Sequence, residues 1–79
     1  MQALRIYSRQ GCHLCELLIE ELLPLIRGRL ATEICDIDSR PDWRERFDVR
    51  IPVVEFEGKV ISEYPLDCQA VAKLLERLP

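Results

Sequence analysis

The sequence has no long apolar run and no excess of basic residues. Its 79 residues carry 11 Lys and Arg against 14 Asp and Glu, so a net charge of −3 gives no reason to expect nucleic acid as a partner. No apolar stretch approaches the roughly 18 residues of a membrane span. The amino terminus lacks the basic and apolar segments of an export signal. We therefore expect a cytoplasmic protein that binds no membrane.

The chain also lacks the length for two domains, and it contains no repeat, low-complexity segment or linker. A hydrophobic content of 48% is enough for one small core. We predict a single domain over residues 1–79 and expect it to be a monomer.

Hydrophobic periodicity predicts seven elements in the order β-α-β-α-β-β-α. Strands are expected over residues 4–7, 32–37, 52–57 and 59–61. A long helix is expected over residues 14–26 and a short one ending at Phe47, where Trp43 and Phe47 serve packing. A last helix is expected with Pro65 in its first turn.

The order of these elements predicts an α/β fold. Strands separated by helices are expected to pair in parallel through right-handed crossovers, whereas the two strands joined at Gly58 form an antiparallel hairpin. The prediction is a four-stranded mixed sheet with helices on both faces. Ligands of such sheets gather at the carboxyl ends of parallel strands, and the loop after Tyr7 leads Cys12 to that edge.

The segment Cys12-His13-Leu14-Cys15 is the motif that points most specifically to a chemical function. Two residues between cysteines, wound into the first turn of a helix, bring the sulfurs close enough to form and break a disulfide. Such a pair stores two electrons. The sequence carries four cysteines, and without an export signal the remaining two are expected to be free thiols.

The positions of Cys12 and Cys15 in the first turn of the helix predict different roles for them. Cys12, at the outer edge of the first turn, faces unpaired backbone N–H groups and the positive end of the helix dipole, which favour its thiolate. We predict that Cys12 is the nucleophile. Cys15, one turn in and shielded by Leu18 and Ile19, is predicted to resolve the mixed disulfide. His13 is either ordinary surface or, when protonated, a further stabiliser of the thiolate.

Two metal-binding alternatives use the same cysteine pair. A structural zinc site needs two further ligands, and only Cys35, Cys68 and His13 are available. Cys35 and Cys68 have core-like neighbours, so we expect both to be small buried hydrophobic residues, and we expect no metal. Carriers of Cu(I) also hold their ion between two such thiolates, but they usually have a Met shortly before the first cysteine, and this chain has only Met1. A non-catalytic interaction module of the same fold is the third alternative.

The segment from Tyr7 to Cys15, followed far downstream by Ile51-Pro52-Val53, resembles the glutaredoxin and thioredoxin superfamily. The stretch Asp36-Ile37-Asp38-Ser39 is similar to that of short glutaredoxin-like proteins with a Cys-His-Leu-Cys motif. The resemblance covers essentially the whole chain and implies a thioredoxin-like fold. It also implies a thiol-disulfide oxidoreductase that needs no metal or organic cofactor and acts on disulfides of proteins or of glutathione.

The resemblance also implies roles for three residues outside the cysteine pair. Pro52 follows a cis peptide bond and faces the dithiol, and Ile51 offers its backbone N–H and C=O to an extended substrate. Arg9 matches a basic position that helps to bind the carboxylate of glutathione. The electron donor is expected to be glutathione or a reductase.

The sequence departs from both named families. Glutaredoxins usually carry a Gly-Gly pair after the fourth strand, where this chain has Ile61-Ser62-Glu63-Tyr64, and the carboxylate of Glu63 would oppose an anionic tripeptide. Thioredoxins usually place Trp directly before the first cysteine and Gly-Pro between the two, whereas here Gly11 precedes Cys12 and His13-Leu14 separates the pair. We therefore predict weaker use of glutathione than a glutaredoxin shows.

Overall fold

The computed structural model describes residues 3–78 and confirms the predicted order of elements. The segments of regular structure, in chain order, are β1 (Ala3–Ser8), α1 (His13–Ile26), β2 (Ala31–Asp36), a 3₁₀ turn (Ile37–Ser39), α2 (Pro41–Phe47), β3 (Val53–Phe56), β4 (Lys59–Ser62) and α3 (Cys68–Arg77).

The four strands form one mixed sheet in the order β2-β1-β3-β4. Strands β1 and β2 pair in parallel over their full length, from Ala3 opposite Ala31 to Ser8 opposite Asp36. The hairpin of β3 and β4 is antiparallel, as predicted. The direction of β3 was predicted wrongly, because it pairs with β1 in antiparallel fashion, with Tyr7 opposite Val53.

The direction of β3 follows from where its connection starts and ends. Asp36 lies beside Ser8, and Val53 lies beside Tyr7, so residues 37–52 begin and end at the carboxyl edge of β1. Helix α2 has seven residues and is only about 10 Å long, half of the roughly 20 Å of a six-residue strand. Because the connection starts and ends at the same edge of the sheet, β3 runs back along β1 in the opposite direction.

Helices cover both faces of the sheet, as predicted. Helices α1 and α3 pack on one face, where the core contains Leu4, Ile6, Leu18, Leu22, Ile26, Val54, Phe56, Val71 and Leu74. The 3₁₀ turn and α2 pack on the other face, where the core contains Tyr7, Cys35, Ile37, Phe47 and Val53. None of the helices in residues 3–78 is long and apolar enough to cross a bilayer.

The last helix begins later than predicted. Pro65 lies ahead of the helix, after a cis Tyr64–Pro65 bond, and α3 starts at Cys68. The carboxylate of Asp67 caps the helix by accepting a hydrogen bond from the Ala70 N–H at 3.0 Å. The Ser62 hydroxyl accepts a bond from the Asp67 N–H at 2.9 Å. These two bonds hold the segment around Pro65 as a loop.

Candidate functional site

A tight turn at the end of β1 delivers Cys12 to the start of α1. The Cys12 N–H donates to the carbonyl of Arg9 at 3.2 Å, which closes a four-residue turn. Gly11 adopts φ +78° at the third position of this turn, a conformation that costs glycine little and other residues more. The turn places Cys12 at the N-cap of α1, at the carboxyl edge of β1.

The two cysteines form a disulfide across the first turn of α1. Their Cα atoms are 5.2 Å apart, and the Cys12 Sγ accepts a hydrogen bond from the Cys15 N–H at 3.2 Å. This bond places the sulfur among the backbone donors that a helix start leaves unpaired, which favours a thiolate after reduction. Cys15 is 1% exposed, so its predicted shielding is confirmed. Cys12 remains partly exposed.

His13 is the first residue of α1, and its side chain is exposed. The ring Nδ1 lies 3.9 Å from a carboxylate oxygen of Glu16, one turn along the helix. His13 is therefore next to Cys12 in the chain and open to solvent. Its action on the thiolate stays a prediction.

Arg9 lies in an ion-pair cluster beside the dithiol turn. Its guanidinium donates two hydrogen bonds to Asp38, at 2.9 and 3.1 Å, and one to Asp48 at 2.7 Å. Arg44 also reaches Asp38, at 3.3 Å. The hydrogen bond from Arg9 is the main reason why the pKa of Asp38 lies below its usual value. To bind Arg9 as predicted, a glutathione carboxylate would have to compete with Asp38 and Asp48.

The Ile51–Pro52 peptide bond is cis, as predicted from the resemblance. Pro52 is buried, and the next residue, Val53, pairs with Tyr7 at the edge of the sheet that carries the dithiol turn. The Ile51 N–H donates to the Phe47 carbonyl at 3.2 Å. The turn after α2 already occupies this N–H, so a substrate would have to displace the bond to Phe47, and use of the Ile51 N–H stays a prediction. Use of the Ile51 carbonyl stays a prediction.

A second ion pair joins the segment before Pro52 to the loop after β4. A guanidinium nitrogen of Arg50 lies 2.9 Å from a carboxylate oxygen of Glu63, and both side chains are exposed. The sequence analysis considered the carboxylate of Glu63 without this partner. The pair neutralises both charges beside the cis proline.

A buried carboxylate on β3 was missed by sequence reasoning. Glu55 is 6% exposed, accepts a hydrogen bond from the Tyr7 hydroxyl at 2.9 Å and lies 3.5 Å from Arg46. Burial raises the pKa of Tyr7. The ring of Tyr7 stacks on Phe47 with 4.2 Å between centroids and meets Trp43 edge-on at 5.5 Å. The predicted packing role of Trp43 and Phe47 is confirmed. The sequence feature that could have indicated this buried carboxylate is a single Glu within an otherwise apolar strand.

The two remaining cysteines differ in exposure. Cys35 is buried, as predicted, whereas Cys68 is exposed, which corrects the prediction for it. Cys68 is the first residue of α3, and its apolar neighbours in the sequence do not cover a position at the end of a helix. Within residues 3–78 no group of three or more His, Cys, Asp or Glu side chains is arranged to hold a metal ion.

We predict that Cys35 resists alkylation in the folded protein while Cys68 reacts. Burial, reinforced by a hydrogen bond to Glu33, raises the pKa of the Cys35 thiol from 9.0 to about 11. The contribution of the neutral Cys35 thiol to the stability of the folded protein is present below about pH 9 and is lost as the pH rises towards 11. The measurement is iodoacetamide labelling of the oxidised protein near pH 8, with urea-unfolded protein as the control. Equal labelling of both cysteines in the folded protein would contradict the prediction.

Comparison with known proteins agrees with the fold. Residues 3–76 match the model of the glutaredoxin-like domain family (DUF836), so the chain belongs to that family. No curated protein shows significant similarity to the chain.

Solved structures give the same fold. A protein from Nitrosomonas europaea, solved by NMR, is 30% identical, with a TM-score of 0.82 over 92% of this chain and 89% of its own. A protein from X. campestris, solved by X-ray crystallography, is 28% identical, with a TM-score of 0.74 over 98% of this chain and 100% of its own. Oxidised mitochondrial thioredoxin 3 from Saccharomyces cerevisiae is 22% identical, with a TM-score of 0.61 over 98% of this chain and 78% of its own. The chain is a glutaredoxin-like domain of thioredoxin fold with a close cysteine pair.

Proposed function

We propose that this protein is a thiol-disulfide oxidoreductase that reduces disulfides through Cys12 and Cys15. The observation that carries the proposal is the placement of Cys12 at the N-cap of α1, partly exposed and disulfide-bonded to the buried Cys15. One sulfur is accessible to a substrate, and the other is within bonding distance but shielded from solvent. This asymmetry suits a nucleophile and a resolving thiol.

The reaction proceeds in two exchanges. The Cys12 thiolate attacks one sulfur of the substrate disulfide, forms a mixed disulfide and expels the other sulfur as a thiolate, which takes up a proton. The Cys15 thiol then loses its proton and attacks the Cys12 sulfur, which expels the second substrate sulfur. The substrate leaves as a dithiol, and the Cys12–Cys15 disulfide remains. Two electrons have passed from the protein to the substrate.

Renewed activity requires a thiol donor that reduces the Cys12–Cys15 disulfide. Glutathione and a dedicated reductase are the two donor classes that the family likeness suggests. Ion pairs neutralise Arg9 and Arg50, two cations that flank the site, so neither guanidinium is free to bind the two carboxylates of glutathione. We propose protein disulfides as the main substrates and a protein reductase as the better donor.

The test is a coupled assay of NADPH oxidation with one protein disulfide substrate and two alternative donor systems. One system contains glutathione and glutathione reductase, and the other contains thioredoxin reductase. A protein with Ser in place of both Cys12 and Cys15 gives the background rate. We expect turnover above background with at least one donor system. Turnover no faster than the double variant, with either donor and with a small disulfide as substrate, would contradict the proposal.

We predict that Glu63→Gln raises glutathione-dependent turnover. The substitution removes the carboxylate that holds Arg50 and leaves a guanidinium beside the cis proline to attract the anionic tripeptide. Since an exposed ion pair is weak, the expected gain in kcat/KM for glutathione is only about 1.5- to fivefold.

The control for Glu63→Gln is Glu20→Gln, which changes the net charge equally from an exposed position in α1. Arg50→Ala combined with Glu63→Gln should abolish the gain. An equal gain from Glu20→Gln would show that only net charge matters, and no gain from Glu63→Gln would contradict the electrostatic argument.

A further inference from the structure

Arg9 makes hydrogen bonds through both its side chain and its backbone carbonyl. Its side chain is 33% exposed and makes three hydrogen bonds to Asp38 and Asp48, which lie 29 and 39 residues away in the sequence. Its backbone carbonyl accepts the hydrogen bond from the Cys12 N–H. Arg9 therefore links the turn that carries Cys12 to the 3₁₀ turn and to the end of α2.

The two carboxylates that hold Arg9 are themselves held in place. The Asp38 N–H donates to a carboxylate oxygen of Asp36 at 2.9 Å, and Arg44 contacts the Asp38 carboxylate. Asp48 ends α2, where its N–H donates to the Arg44 carbonyl at 3.0 Å. Helix α2 is in turn fixed by the buried Phe47, so Arg9 is held by an anchored surface.

The cluster is electrically balanced. Arg9 and Arg44 contribute two positive charges, and Asp38 and Asp48 contribute two negative charges. A neutral cluster exerts little net field on a sulfur nearby, whereas two opposed carboxylates fix the plane and direction of a guanidinium strongly. The geometry of the cluster therefore matters more to Cys12 than its charge.

We propose that Arg9 is a positioning residue that keeps Cys12 at the N-cap of α1. With the guanidinium held by Asp38 and Asp48, the Arg9 carbonyl stays in place for the Cys12 N–H, and the Cys12 sulfur stays within reach of the Cys15 N–H. This inference rests on the proposed function, because it concerns the reactivity of the proposed nucleophile.

Several charged groups lie at this end of the sheet and act on any titration of Cys12. In the described part of the chain they are His13 and Glu16 on α1, Arg9 and Asp38 with Arg44 and Asp48 in the cluster, Asp36 beside the cluster at the end of β2, and Arg50 with Glu63 in the two flanking loops. The experiment has to separate position from charge among these groups.

The test compares the alkylation rate of Cys12 in the reduced protein as a function of pH. In Arg9→Ala the turn loses its anchor, and we expect the thiolate fraction at pH 7, and with it the rate, to fall at least about threefold. In Arg9→Lys the charge is kept, but a single ammonium cannot bridge two carboxylates in the same way, so we expect a loss similar to that in Arg9→Ala.

The double substitution Asp38→Ala with Asp48→Ala distinguishes a positioning role of Arg9 from an effect of its charge, because the two predict opposite changes in the alkylation rate of Cys12. It leaves Arg9 charged but unanchored. If position matters, the alkylation of Cys12 slows. If the positive charge alone matters, alkylation becomes faster than in the wild type, because two negative charges are lost and the guanidinium is free. The double variant also answers the question if the Arg9 variants do not fold, which far-UV circular dichroism checks.

Arg27→Ala is the matched control, since it removes one exposed cation at the opposite end of α1, outside the cluster and the dithiol turn. We expect its pH profile to match that of the wild type. A wild-type rate in Arg9→Ala, full rescue by Arg9→Lys, or faster alkylation in the double aspartate variant would each overturn the positioning role. These results leave the proposed function standing. A wild-type Cys12 that is no more reactive than Cys15 would instead contradict the proposed function itself.

Discussion

We expect Cys12→Ser to lose disulfide reduction down to the uncatalysed background, whereas Cys15→Ser accumulates as a mixed disulfide with its substrate. The serine hydroxyl cannot attack a disulfide, so the first variant blocks the first exchange. In the second variant the nucleophile at the N-cap is intact, but no neighbouring thiol releases the substrate. Turnover measures the first effect, and the intact mass of the protein after incubation with substrate measures the second.

Cys68→Ser is the control for this pair of variants, because Cys68 is exposed but lies at the start of another helix. It should retain wild-type turnover and form no stable adduct. The assignment of roles fails if Cys15→Ser forms no adduct while Cys12→Ser does, because Cys15 would then be the attacking thiol.

The second large effect is on stability, in the variant Phe47→Ala. Phe47 is 1% exposed, its ring stacks on Tyr7, and it attaches the seven-residue helix α2 to the sheet. Truncation of a buried phenylalanine costs about 3–5 kcal/mol. The total stability of a domain of this size is roughly 4–12 kcal/mol, so the loss is a large part of the whole. Equilibrium unfolding in urea measures it.

The matched control for Phe47→Ala is Val49→Ala, two residues further along the chain and 92% exposed. Its stability should stay within about 0.5 kcal/mol of the wild type. Similar losses in both variants, or a loss below about 1 kcal/mol in Phe47→Ala, would show that α2 is not attached to the sheet through this ring.

Local patterns in the sequence were enough to predict the order of elements and the position of the dithiol. The apolar spacing of α1 and its start beside Cys12 depend on neighbouring residues, so they can be inferred without knowing the rest of the fold. The direction of β3 could not be inferred in this way, because it depends on which edge of the sheet Asp36 and Val53 share.

The contacts around the site were harder to predict because they join distant residues. Arg9 meets Asp38 and Asp48 across 29 and 39 residues, and Arg50 meets Glu63 across 13, at spacings that no helical or strand period marks. Composition gives the number of these charges but cannot show that they pair.

Backbone hydrogen bonds at loop ends were also outside what the sequence pattern could show. The Ile51 N–H is occupied by the Phe47 carbonyl because the chain turns tightly after α2. The start of α3 depends on the Asp67 cap, which prevails over the preference of Pro65 for a first helical turn.

The most direct test of the proposed redox role is the pH dependence of alkylation of the fully reduced protein, with the Cys12 and Cys15 peptides quantified separately by mass spectrometry. We predict that Cys12 reacts as a thiolate with a pKa well below the ordinary value of about 8.5, and that Cys15 reacts more slowly at every pH below that value. A pKa of Cys12 no lower than that of Cys15 would contradict it.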